Sequence, residues 1–206
     1  IQKNGQQRYD ELLNVINKIR KNVNKCKYIS IPCEELKNQN NVFDVDVTKL
    51  IINVNNSGIT GKQLGDILRY KYNIEVEMDS LKYVLGITTI CDDYKELERL
   101  AAALKEIDKS LEEKQNENIS VELLKNKRMY SIYETDLKEK NTVNLFDSKD
   151  CISGEFVFLY PPGIPLVVPG EVITEELLEQ IKVYLEANMN ISGLKDNSNK
   201  TIEVVK

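Results

Sequence analysis

The chain has 206 residues, 41% of them hydrophobic and 30% charged, with a net charge of −5 and no histidine. That balance suits one globular domain or two small ones, and the acidic surface argues against an electrostatic nucleic-acid binder. No apolar, uncharged window reaches the length of a membrane span. Cys26, Cys33, Cys91 and Cys151 lack Cys-x-x-Cys spacing, so neither a zinc site nor a disulfide framework is expected. Reduced thiols point to a cytoplasmic location.

Taken in chain order, Tyr9, Leu12, Leu13, Ile16, Ile19 and Val23 recur at helical spacing and predict an amphipathic helix over 8–26. Tyr28 to Pro32 alternates as a short strand, and 34–41 is a loop whose beginning has helical character. Lys49–Val54 forms a buried strand, followed by a turn over 55–58. Thr60 with Gln63 makes a capping box for a helix through Tyr72. Strands are expected at 74–78 and 82–90. Asp92 or Asp93 then caps a helix presenting Leu97, Leu100, Ala101, Leu104 and Ile107 on one face. This β-α-β-β-α order predicts an α+β unit with an antiparallel or mixed sheet covered on one side by helices.

The polar stretch from Asp108 to Ser120 marks the domain boundary. The expected division is 1–110, a linker at 111–120, and a second small α+β domain at 121–206. In that second domain short helices are expected near 120–138 and a strand at Glu155–Tyr160. A helix at 175–188 capped by Thr174 and a final strand at Thr201–Val205 complete it. The first residues, Ile1-Gln2-Lys3-Asn4-Gly5, are neither a signal peptide nor a natural start, so the chain is expected to be a piece of a longer protein.

The most informative segment runs from Tyr160 to Glu171. It holds Pro161, Pro162, Pro165 and Pro169, four of the five prolines in the chain, together with Gly163 and Gly170. Proline fixes φ and removes a donor, while glycine opens positive φ, so this run follows one path that is neither helix nor central strand. Ile164, Leu166, Val167 and Val168 require it to pack against something. A rigid apolar loop ending in a carboxylate suits a structural wedge or the wall of a site.

Tyr-Pro-Pro-Gly-Ile-Pro-x-x-x-Pro-Gly-Glu closely resembles a C-terminal signature of the pyridoxal-phosphate-dependent ornithine/lysine/arginine decarboxylases, enzymes of the aminotransferase-like fold. Gly58-Ile59-Thr60-Gly61 through Leu68-Arg69 resembles the family's Gly-Ile-Ser-Gly-x-x-Leu-x-x-x-Leu-Arg stretch. Ile74 to Met78 is similar to its Ile-x-Val-Glu-Met segment, and Asp46 to Leu50 to its Asp-Pro-Thr-Lys-Leu. Where the family usually has Val-Gly-Arg-Ile, this chain has Lys149-Asp150-Cys151-Ile152, and Leu159 replaces a frequent proline, which marks a divergent member. The family's cofactor lysine lies in Ser-x-His-Lys and a further histidine stacks on the ring. With no histidine and no Gly-rich phosphate loop, the chain is expected to bind no pyridoxal phosphate itself.

The resemblance implies the small domain and C-terminal domain of a decarboxylase acting on arginine, lysine or ornithine. Pyridoxal phosphate would sit in the intact enzyme, on an N-terminal cofactor-binding domain that would be this chain's partner in a homodimer or higher oligomer. The substrate-channel candidates are Glu155, Tyr160 and Glu171, with Pro161, Pro162, Gly163, Pro165, Pro169 and Gly170 as the structural loop. No catalytic, cofactor or metal residue is expected in this chain. For Glu171 the competing role is to cap backbone amides at a helix start; for Glu155 it is an ion pair. Asp44 and Asp46 lack a third ligand for a metal. Tyr83, Tyr130, Tyr133 and Tyr184 are expected as half-buried packing residues. The rival functions are a non-catalytic binding or regulatory relative and an oligomerisation module.

Overall fold

In the computed structural model, residues 3–54, 56–113 and 124–206 are described. The chain divides into two compact units, Ile1–Asn118 and Ile119–Lys206. The expected linker at 111–120 falls mostly on residues outside the described ones.

The first unit opens with α1 (Gly5–Val23), whose Leu12, Ile16, Ile19 and Val23 are buried at helical spacing. β1 (Ile29–Ser30) and a 3₁₀ turn at Glu34–Leu36 follow, then β2 (Lys49–Val54) with strictly alternating burial. α2 (Gly61–Tyr72) begins at the expected capping box. The Thr60 hydroxyl accepts from Gln63 N and the Gln63 side chain accepts from Thr60 N. It stops at Asn73, whose φ of 52° leaves helical space. β3 (Met78–Asp79), β4 (Tyr83–Ile87) and α3 (Tyr94–Ser110), capped by Asp93, complete the unit.

The sheet order is β1-β2-β4-β3 and every pair is antiparallel, so the mixed alternative does not apply. Leu50, Ile52, Val54 and Val84 share one core cluster with the buried residues of α1, α2 and α3. The helices therefore cover a single face, the arrangement that period-2 and period-3.6 burial dictate together. The expected strands at 74–78 and 82–90 shrink to Met78–Asp79 and Tyr83–Ile87. Val76 is buried and Glu77 N donates to Leu85 O at 2.8 Å, but this is a single contact rather than a ladder. Asp108, at the end of α3, accepts from the backbone amides of Lys27, Tyr28 and Ile29 and ties β1 to that helix. Buried Arg20 donates from Nη2 to Val47 O at 2.9 Å and Lys49 O at 3.1 Å, which fixes the entry to β2.

In the second unit α4 (Ile132–Asp136) has its own capping box, from Ser131 and Glu134. β5 (Lys140–Asn144) pairs with β9 (Thr201–Val205). A second antiparallel sheet has the order β7-β6-β8, formed by β7 (Ile164–Val167), β6 (Val157–Leu159) and β8 (Ile191–Ser192). α5 (Glu175–Glu186) starts at Thr174 as expected and buries Leu177, Leu178, Ile181 and Tyr184. Tyr133, expected half-buried, is 74% exposed; in α4 the buried side chain is Thr135. Among the described residues no helix is long and apolar enough to cross a membrane. The four cysteines are free thiols, and no metal-binding cluster occurs among the described residues.

Candidate functional site

The Pro-Gly run forms a β-hairpin with a zipped base. β6 and β7 pair antiparallel, with Leu159 opposite Ile164, and Gly163 N closes the turn onto Leu159 O at 2.8 Å. Proline is tolerated in β7 because this strand lies at the sheet edge. The expectation that the whole run packs holds for only half of it. Pro161, Pro162, Gly163, Ile164 and Pro165 are exposed, whereas Val167, Pro169 and Gly170 are buried. The tip projects a surface without charge: from Phe156 to Gly170 no side chain is ionisable except Tyr160.

Burial of the second half rests on Gly170. Its N–H donates to Ser153 O at 2.8 Å, and its carbonyl accepts from Met129 N at 2.8 Å and Tyr130 N at 3.2 Å. With φ at +93° and a Cβ position that would strike the Tyr130 carbonyl oxygen, only glycine fits.

Glu171 lies just beyond. Its Oε2 accepts from Val168 N and from Asn126 Nδ2, both at 3.2 Å, while Asn126 also donates to Leu166 O at 2.7 Å. Arg128 stands 3.9 Å from Oε1. The carboxylate thus clamps the segment 126–128 against the hairpin base. It does cap an amide, but one upstream of it; the amide at the start of α5 is served by Thr174, whose hydroxyl accepts from Leu177 N. Glu171→Gln is therefore expected to cost about 0.5–1.5 kcal/mol of stability, read as a lower urea midpoint.

Glu155 is only 6% exposed and precedes β6 rather than lying within it. Its Oε1 accepts from Lys195 N at 2.9 Å and its Oε2 from Glu203 N at 2.8 Å. The alternative of an ion pair is corrected here: the Lys195 ammonium pairs with Glu203 at 2.7 Å instead. Charge-assisted bonds to two amides satisfy a buried carboxylate without a cation. Glu155 thereby fastens the β8–β9 loop and β9 to the start of β6. It also lies in the floor of a groove of about 620 Å³, walled by Ile132, Tyr133, Phe156 and Pro169.

Glu155 and Tyr160 are not brought to one point. Glu155 and Tyr160 flank opposite ends of β6, about 16 Å apart on an extended strand, and Glu171 lies under the hairpin base. Tyr160, 56% exposed at the tip, is the candidate that faces outward. The sequence singles out neither Asn126 nor Phe156, and it places Tyr133 only as a packing residue rather than in the groove wall. Only the uncharged run after Glu155 hinted at Phe156.

Several lysines among the described residues are held in the charged form. A Schiff-base lysine must give up its charge, yet carboxylates push several ammonium groups the other way. Asp44 raises Lys37, Glu175 raises Lys149, and Glu203 raises Lys195. The little-exposed Lys62 and Lys140 are paired with Asp66 at 2.5 Å and Asp136 at 3.5 Å.

Residues 108–197 match the family model described as Orn/Lys/Arg decarboxylase, C-terminal domain. Arginine decarboxylases from Bacillus anthracis and Bacillus subtilis are 30% and 34% identical over 205 residues, which is 98% of this chain and 42% of each relative. The chain thus spans less than half the length of these curated relatives. Among solved structures, the Francisella novicida lysine decarboxylase matches with a TM-score of 0.74 at 17% identity. The constitutive lysine decarboxylase of E. coli matches at 0.72 and 15%. Each comparison covers 98% of this chain and 40% of the solved one, and at such identities the likeness is one of fold.

Proposed function

We propose that this chain, whose residues 108–197 match the C-terminal domain model of the Orn/Lys/Arg decarboxylases, is the C-terminal part of a pyridoxal-phosphate-dependent decarboxylase of arginine, lysine or ornithine. The observation that carries this reading is a match running through 98% of the chain to arginine decarboxylases more than twice its length. The cofactor, when bound, supplies the electron withdrawal that lets the α-carbon lose CO₂. Its lysine and phosphate cradle belong to an N-terminal portion outside this chain, so the chain alone is inactive. Its own contributions are the helix-covered small domain, part of an oligomer interface, and the uncharged hairpin tip with Tyr160 as a channel rim. Glu155 and Glu171 hold that hairpin in place. A rim without charge lets a cationic substrate pass without trapping it.

The test is a chimera joining this chain to the N-terminal portion of the Bacillus subtilis arginine decarboxylase that it does not match. The chimera is expected to bind pyridoxal phosphate and release CO₂ from one of the three amino acids, while the isolated chain shows no bound-cofactor absorbance and no release. A folded, cofactor-loaded chimera inert toward all three would reject the reading in favour of a non-catalytic binding or oligomerisation module.

A further inference from the structure

β5 and β9 form a ribbon of only two strands, in register over five consecutive pairs without a bulge. Lys206 N donates to Glu139 O and Leu145 N to Lys200 O, so the odd-numbered residues of β5 turn their backbone groups toward β9. The far edge of β9 is taken by the segment 152–154, through Val205 N to Ile152 O and Gly154 N to Glu203 O. Lys140, Thr142 and Asn144 consequently point their amides and carbonyls away from β9. Among the described residues no backbone group meets them there.

Natural edge strands are blunted by proline, by charge or by a bulge. From Asn141 to Asn144 β5 has none of these. Its one charge, Lys140, is drawn to Asp136 at 3.5 Å. We propose that a second copy of this chain pairs antiparallel along this edge, about a two-fold axis at Thr142. In that register Thr142 faces its own counterpart, Lys140 faces Asn144, and Asn141 faces Val143. Each outward residue donates one bond and accepts one, and no like charges oppose each other. The result is one continuous sheet in the order β9-β5-β5-β9. This inference does not depend on the decarboxylase reading.

Sedimentation equilibrium of the 206-residue chain over a range of concentrations tests it, with Thr142→Pro and Thr142→Lys as variants. The Thr142 N–H faces outward, so proline removes an intermolecular donor and spares the β9 ladder; lysine sets two ammonium groups against each other at the axis. A reversible dimer is expected, with its Kd raised roughly tenfold to a hundredfold by either change and the melting temperature of the dilute chain unaltered. If the proline variant does not fold, the lysine variant decides. A chain that stays monomeric at every concentration overturns the proposal and leaves the edge to a strand of another protein. A dimer indifferent to both variants overturns it as well, since the contact then lies elsewhere.

Discussion

Replacing Glu155 with alanine is expected to destabilise the unit Ile119–Lys206 by about 2–4 kcal/mol. The carboxylate answers two amides, Lys195 N and Glu203 N, in a place that is 6% exposed. Alanine leaves both donors without an acceptor and opens the joint between the start of β6 and β9. For a domain of this size the loss corresponds to a fall of about 10–25 °C in melting temperature. Glu155→Gln keeps the shape and one acceptor oxygen, so its cost is smaller, about 1–2 kcal/mol. Calorimetry on the two variants checks the ranking. A normal melting temperature combined with weakened binding of arginine, lysine or ornithine in the decarboxylase chimera would show instead that Glu155 meets the substrate.

Gly170→Ala is expected to cost about 3–5 kcal/mol, from a positive φ imposed on an L side chain and from steric overlap in a closed site. The added Cβ would run into the carbonyl oxygen of Tyr130 and approach Thr135 Oγ1 at 2.7 Å. Both neighbours are fixed: Tyr130 N binds Gly170 O, and the Thr135 hydroxyl donates to Ser131 O. Gly163 is the internal control. Its φ of +101° is as unusual, but nothing lies within 4 Å of its Cβ position. Gly163→Ala should therefore cost only the backbone term, about 1–2 kcal/mol. Urea denaturation of both variants separates the effects. Equal midpoints would mean that the hairpin base is not closed over Gly170.

The contrast between these two glycines shows where the sequence stopped being informative. Both sit in the same proline-rich run and both take positive φ, which residue type alone suggests. That one is exposed and the other is pressed against Tyr130 depends on the segment 126–130 lying beside 166–172, a contact between positions some forty residues apart. The same holds for the carboxylates. Composition could place Glu155 and Glu171 near a rigid loop, but the donors they accept from lie on Lys195, Glu203 and Asn126, which no local pattern links to them.

What the sequence determined by itself is local. The capping box at Thr60 and Gln63, the cap at Asp93, the helix begun by Thr174 and the final strand Thr201–Val205 all follow from side chains acting within a few residues, as does the alternating burial of Lys49–Val54. Tertiary structure decided the rest. β5, with the polar sequence Lys-Asn-Thr-Val-Asn, carries no strand signal and exists because β9 offers it a ladder. β3 shrank to two residues because the segment before it meets β4 at only one further amide. The hairpin tip stayed exposed although its residues are apolar, since proline at the sheet edge cannot fold back onto a core that is already filled. Caps and periodicity act over one or two turns of chain, whereas strand pairing and burial are settled by which distant segment arrives alongside.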